Sequence, residues 1–315
     1  MSEPTRIVSL LPSATELVYA LGLGERLVGV THECDFPPAA LHKPRLTSSA
    51  LPHAGDAGTI DRHVRASLHE GSSLYALDQD ALDGLRPDLI ITQELCDVCA
   101  VSYGIVARAA RELTRSGDAP ARVISLEPLS LEDVYANIAT VAEAAGEPQR
   151  AAAVIAGLRA RAGALARAVA GRARPRTLVI EWTDPPFSGG HWTPGLVELA
   201  GGEPVLGDAG LPSRTISWAS IAAADPDVVI VAPCGFDLAR TLAAIAPLAA
   251  RPEWAGLRAL REGRAYAIDG NAYVNRPGPR LIETAELFAH AIHGEAVVPD
   301  VADGTPPGLV RLRRA

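Results

Sequence analysis

Short aliphatic and β-branched runs recur along this chain, and each is followed by a helical pattern before the next run begins. Arg6–Leu11, Leu27–Thr31, Leu89–Thr92 and Val123–Leu126 form one series; Arg176–Glu181, Val228–Ala232 and Arg264–Ile268 form a second. Runs this short and this uniformly apolar fit strands covered on both faces. Strands that alternate with helices are joined by crossovers, which makes the sheet parallel. The fold class expected is α/β, with two Rossmann-like lobes.

Two internal echoes support a duplication. Leu85-Arg86-Pro87-Asp88-Leu89-Ile90-Ile91 resembles Ala224-Asp225-Pro226-Asp227-Val228-Val229-Ile230, and Glu16-Leu17-Val18-Tyr19-Ala20-Leu21-Gly22 resembles Gly195-Leu196-Val197-Glu198-Leu199-Ala200-Gly201. Between the series, Ile155, Leu158, Ala162, Leu165 and Val169 fall on one helical face after Pro148, which suits a first helical turn. The domains expected are an N-terminal lobe over 1–147, a connecting backbone helix over 148–172, and a C-terminal lobe with its tail over 173–315. Pro12-Ser13-Ala14-Thr15-Glu16 predicts a helix start, with Ser13 and Glu16 spaced as a capping box.

Composition removes several functions. The net charge is −8 and no basic stripe stands out, which argues against nucleic acid as a partner. No uninterrupted apolar window is long enough for a membrane span, so the chain is not expected to be an integral membrane protein. Met1-Ser2-Glu3-Pro4-Thr5-Arg6 has no basic region, long apolar region or cleavage site. That predicts a cytoplasmic chain, or a periplasmic or cell-surface one if the N-terminus was trimmed. In the cytoplasm the four cysteines would be reduced, favouring metal binding or catalysis over disulfides. There is no H-E-x-x-H, nucleophile elbow, P-loop or G-x-G-x-x-G, and no enzyme is expected.

Ligands of parallel α/β sheets sit at the carboxyl ends of the strands. The loops there read PSATE, HECDFP, TQELCDVC and Glu127-Pro128 in the first series. In the second they read WTDPPFSGGHW, Pro233-Cys234-Gly235-Phe236 and DGNAYVNRPGPR. They gather all four cysteines and a supply of aromatic rings on edges that, set opposite each other, would frame a cleft. Trp182 and Trp192 flank a Pro/Gly loop too small to hide them, so with Tyr273 they suit a ligand wall. Cys96-x-x-Cys99 is weak alone; Cys34, Cys234 and His32 would complete a metal set, or the thiols are small buried groups lining the site.

The PSATE opening, the paired PDLI-type strands, the single long helix and the closing NAYVNRPGPR resemble the helical-backbone, class III substrate-binding proteins of ABC importers for cobalamin and iron chelates. HECDFP, TQELCDVCAVS, EWTDPPFSGGHW and NRPGPR resemble the cobalamin-binding branch, and the likeness spans about residues 6–293. The resemblance implies capture of a corrinoid-like ligand between the lobes, without catalysis. The expected contacts are Ser13, Thr15, Asp35, Phe36, Glu127, Trp182, Phe187, Trp192, Tyr273, Asn275 and Arg276, with cobalamin as the ligand. Arg276 and Arg280 would otherwise anchor the following helix. The expected partners are that small molecule and an ABC permease, met through acidic residues such as Glu203 and Asp80, and the chain is expected to be monomeric. The alternative is a cytoplasmic metalloprotein or metalloenzyme holding zinc, iron or haem through His32, Cys34, Cys96, Cys99 and Cys234.

Overall fold

In a computed structural model of the protein, residues 6–49, 55–69, 74–93, 106, 109, 121–294 and 308–312 are described. The chain divides into two compact units. One takes Met1–Gly55, Thr59–Pro128 and Glu132–Gly157; the other takes Leu158–Ala315 and two short stretches, Asp56–Gly58 and Leu129–Leu131.

The first unit holds β1 (Ile7–Ser9), β2 (Leu27–Val30), β3 (Thr47–Ser49), β4 (Tyr75–Leu77), β5 (Leu89–Thr92) and β6 (Arg122–Ser125). Its main sheet is parallel throughout, in the order β2-β1-β5-β6. Leu89–Thr92 is buried at every position, as a central parallel strand must be. The small antiparallel pair β3–β4 was not foreseen, because three-residue strands carry too little period to read.

The second unit holds β7 (Arg176–Thr183), β8 (Pro186–Ser188), β9 (Glu203–Pro204), β10 (Val228–Val231), β11 (Ala265–Ile268) and β12 (Leu309–Arg311). Here the parallel order is β9-β7-β10-β11, the same plan as in the first unit. Antiparallel β8 and β12 are added on β7 and β11. Its core packs Leu178, Ile180, Val229 and Val231 with Trp218 and Trp254, whose rings meet edge-on at 6.0 Å.

The duplication extends to individual hydrogen bonds. In the first unit the Arg6 N–H donates to Asp88 Oδ2 at 2.9 Å, and the Arg6 guanidinium donates to the Leu85 carbonyl at 2.7 Å. In the second unit the Arg176 N–H donates to Asp227 Oδ2 at 2.8 Å, and its guanidinium reaches the Ala224 carbonyl. Each aspartate follows a helix that ends in a left-handed residue, Arg86 in one unit and Asp225 in the other. The second echo is equally literal. Gly22 and Gly201 both have positive φ, and the Leu23 and Gly202 N–H groups reach back five residues to Val18 and Val197, each at 2.9 Å. Both are Schellman endings.

The Pro148–Val169 helix carries the expected apolar face, with Leu158, Leu165 and Val169 buried. At about 1.5 Å per residue its 22 residues are about 33 Å long. The division between the units falls within it, after Gly157. One local expectation fails. The first helix runs Pro12–Ala20 with Leu11 as its N-cap and no side-chain cap. Pro12 takes the first helical position, where its fixed φ fits and its missing N–H does no harm, so Ser13 lies inside the helix and cannot cap it.

Candidate functional site

In the first unit β2 and β5 flank β1 on opposite sides, so the strand order reverses between β1 and β5 and their carboxyl ends mark the topological switch point. Ser13 and Thr15 follow β1, but both are buried. The Thr15 hydroxyl donates to Ser9 Oγ at 2.9 Å and lies 3.0 Å from the Cys34 sulfur. Thr15 thus ties the start of the first helix to the end of β1 and to Cys34. Cys34 is itself buried, and its carbonyl and that of Thr31 accept from Arg45.

His32 points its Nδ1 at the Thr47 hydroxyl, 2.7 Å away, and tilts its ring against Tyr75 at 5.5 Å. Tyr75 in turn donates to Glu33 at 3.2 Å. The His32-Glu33-Cys34 stretch is thus held together by the β3–β4 pair. Asp35 and Phe36 project beyond it and are exposed, and exposed Glu127 accepts from Ser125 at 2.8 Å. Thr92, at the end of β5, is fully buried, and its hydroxyl has no hydrogen-bond partner among the described residues.

The second unit has its own switch point, between β7 and β10. Glu181 lies there. Its Oε1 accepts from the Thr193 hydroxyl at 2.6 Å, its Oε2 from the Ser213 hydroxyl at 2.5 Å, and the Gly190 N–H also donates to the carboxylate. Burial pushes this carboxyl above the usual carboxylate range, against the pull of those three donors. Its backbone carbonyl accepts from the Cys234 N–H at 3.0 Å.

The aromatic residues expected to face a ligand, Trp182, Phe187, Trp192 and Tyr273, lie in this unit. Trp182 and Phe187 face each other across the β7–β8 ladder, and both are half-buried. Trp182 meets Phe236 edge-on at 5.1 Å, and the Arg240 guanidinium covers Phe236 at 4.1 Å. Trp192, also half-buried, donates from Nε1 to the Val274 carbonyl at 2.8 Å, which ties the SGGHW loop to the Gly270–Val274 turn. Tyr273 lies in that turn with the Arg280 guanidinium 4.5 Å from its ring centre. The turn is capped by Asp269, whose Oδ1 accepts from Ala272 at 2.7 Å and whose N–H donates to Gly308 just before β12.

Asn275 directs its amide to the carbonyls of Ala232 and Gly270, at 3.1 and 3.2 Å. It joins the end of β10 to the turn. Arg276 is buried. The other two tryptophans, Trp218 and Trp254, are core residues.

Of the proposed metal set, the described members His32, Cys34 and Cys234 form no metal site. Cys34 is buried in the first unit and Cys234 is exposed in the second. Cys96 and Cys99 lie outside the described residues. Among the described residues, no three His, Cys, Asp or Glu side chains gather in a way that could hold a metal. Sequence reasoning missed the partners of Glu181. Gly189-Gly190 was the available signal, since adjacent glycines after a strand point to a close backbone approach.

A family described as periplasmic binding protein matches residues 7–272. A cobalamin-binding protein of Halobacterium salinarum is 25% identical over 335 residues, covering 98% of this chain and 80% of that protein. A vitamin B12-binding protein of Vibrio cholerae is 24% identical over 285 residues, covering 89% of this chain and 86% of that protein. Among solved structures, the periplasmic heme-binding protein RhuT from Roseiflexus sp. RS-1 superposes with a TM-score of 0.68 at 25% identity, covering 94% of this chain and all of that one.

No helix among the described residues is long and apolar enough to cross a membrane. The expected cytoplasmic location does not stand. The matching family is one of periplasmic proteins, and that overturns an inference drawn from the first few residues alone. It is also a family of solute binders, not catalysts. With the match running over most of its length, this chain belongs to the periplasmic binding protein family.

Proposed function

We propose that this substrate-binding protein captures cobalamin or a closely related corrinoid and passes it to an ABC permease. The observation that carries this reading is the likeness to a cobalamin-binding protein along nearly the whole chain. The chemistry of the second unit's rim supports it. Trp182, Phe187, Trp192 and Tyr273 offer half-buried ring area around few free polar groups, which suits a broad, flat, weakly polar ligand. Phe36, exposed at the end of its loop, offers the first unit's counterpart. In this reading the lobes are residues 1–147 and 173–315, and 148–172 is the connector.

Haem is the second reading, favoured by the fold shared with a heme-binding protein. Titration of purified protein with cyanocobalamin, followed by visible spectrum and heat, separates the two, with haemin as the parallel arm. Cobalamin is expected to bind with a Kd of about 1 μM or tighter, and Trp182→Ala to weaken it by about tenfold or more. Absence of both heat and spectral change with cobalamin at tens of micromolar, with binding of haemin, would replace the first reading by the second.

A further inference from the structure

After β9, residues 208–215 run antiparallel beside β8 and the loop that follows it. The Ser188 N–H donates to the Arg214 carbonyl at 3.0 Å, the His191 N–H to Leu211 at 2.6 Å, and the Ile216 N–H to Pro186 at 2.9 Å. The Gly210 N–H returns to the His191 carbonyl at 2.9 Å, and Phe187 and Thr215 form a bridge. Glycines make this approach possible. A Cβ on Gly190 would stand 2.3 Å from the Ser213 nitrogen and 2.7 Å from the Leu211 oxygen, and one on Gly207 would stand 2.4 Å from the Gly189 oxygen. Those obstacles are backbone atoms with nowhere to go, so the segment lies flush against the loop that carries His191 and Trp192.

On this fixed backbone Leu211 is 57% exposed, the most exposed large apolar side chain among the described residues. A lone exposed leucine is ordinary on a protein surface. Here its backbone is hydrogen-bonded to the residue preceding Trp192, so little freedom remains to be lost when a ligand covers it. Glu181 supplies the anchor. One of its oxygens holds Ser213 of the segment and the other holds Thr193, at the start of the helix that follows Trp192.

Resting on the reading proposed above, we infer that residues 208–214 are a ligand-contact segment. In it Leu211 gives apolar area to a corrin or porphyrin macrocycle, and Glu181 is the positioning residue that holds the segment in place. The test begins with wild-type protein titrated with cyanocobalamin and, separately, haemin. Leu211→Ser is expected to weaken whichever macrocycle the wild type binds by about tenfold, with an unchanged melting temperature. Leu242→Ser, at another exposed leucine of the same unit, is expected to stay within about twofold of wild type.

Glu181→Gln is expected to weaken the same ligand, and adding Leu211→Ser to it to cost less than it does in the wild-type background. Full additivity would overturn the positioning role. If the wild type binds and Leu211→Ser binds as tightly, or loses no more than Leu242→Ser, the inference falls while the functional reading stands. If the wild type binds neither macrocycle, both fall.

Discussion

Half-buried Glu181 is held by three protein donors, and its protonation is coupled to folding. Because burial raises its folded pKa, the native state holds this proton more tightly than the unfolded chain does. Below the ordinary glutamate range both states are neutral and nothing is lost. As pH rises from that range through the raised folded value, the unfolded chain ionises first and stability declines. Asp184, His191, Asp208, Arg214 and Cys234 are the other titratable groups on the elements around it. Glu181→Gln is expected to remove this part of the decline, although it also sacrifices one hydroxyl acceptor. Urea unfolding from about pH 4 to about pH 8 should show the wild type's advantage over the variant shrinking as pH rises. A constant difference would contradict the coupling. At this scale the sequence distinguished Trp182 and Trp192 from the core pair, because a stiff Pro/Gly loop cannot bury an indole. It could not show the partners of Thr15 and Asn275, since a polar side chain near a strand end looks the same in sequence whether it meets a ligand or a neighbouring protein group.

The central parallel strands β5 and β10 were legible because each is an apolar run buried at every position, and burial on both faces demands that pattern. The edge strands β3, β4, β8, β9 and β12 were not, since two or three residues paired on one side need no particular composition. Helix ends were readable where glycine adopts a positive φ. Gly201 has φ +80°, and an added Cβ would stand 2.7 Å from the His293 ring and 2.8 Å from Val169. Gly22 has φ +70°, and an added Cβ would meet only the guanidinium tip of Arg150, a side-chain end, at 2.9 Å. Gly201→Ala is therefore expected to destabilise by about 2–3 kcal/mol and Gly22→Ala by about 1–2 kcal/mol, read from urea unfolding. Equal losses would show that packing at Gly201 contributes nothing beyond its backbone conformation.

The repeated arginine-to-aspartate pairing and the shared strand order show one plan used twice, as the two sequence echoes implied. Ligand identity was less legible than fold, because flat macrocycles of different chemistry ask for similar apolar area. Residues 308–312 carry a further dependence. They pair with β11, accept the Asp269 N–H and leave no space beside Tyr273, where a Cβ on Gly308 would come within 2.5 Å of the ring. Deleting residues 308–315 should lower the melting temperature by about 4 °C or more and expose a sheet edge that self-associates, visible as larger species in light scattering. An unchanged, monodisperse protein would mean the strand is dispensable. If it is not, an affinity tag or immobilisation linker fused at this end would tug on the ring wall itself, and sensors built from this scaffold should be tethered elsewhere.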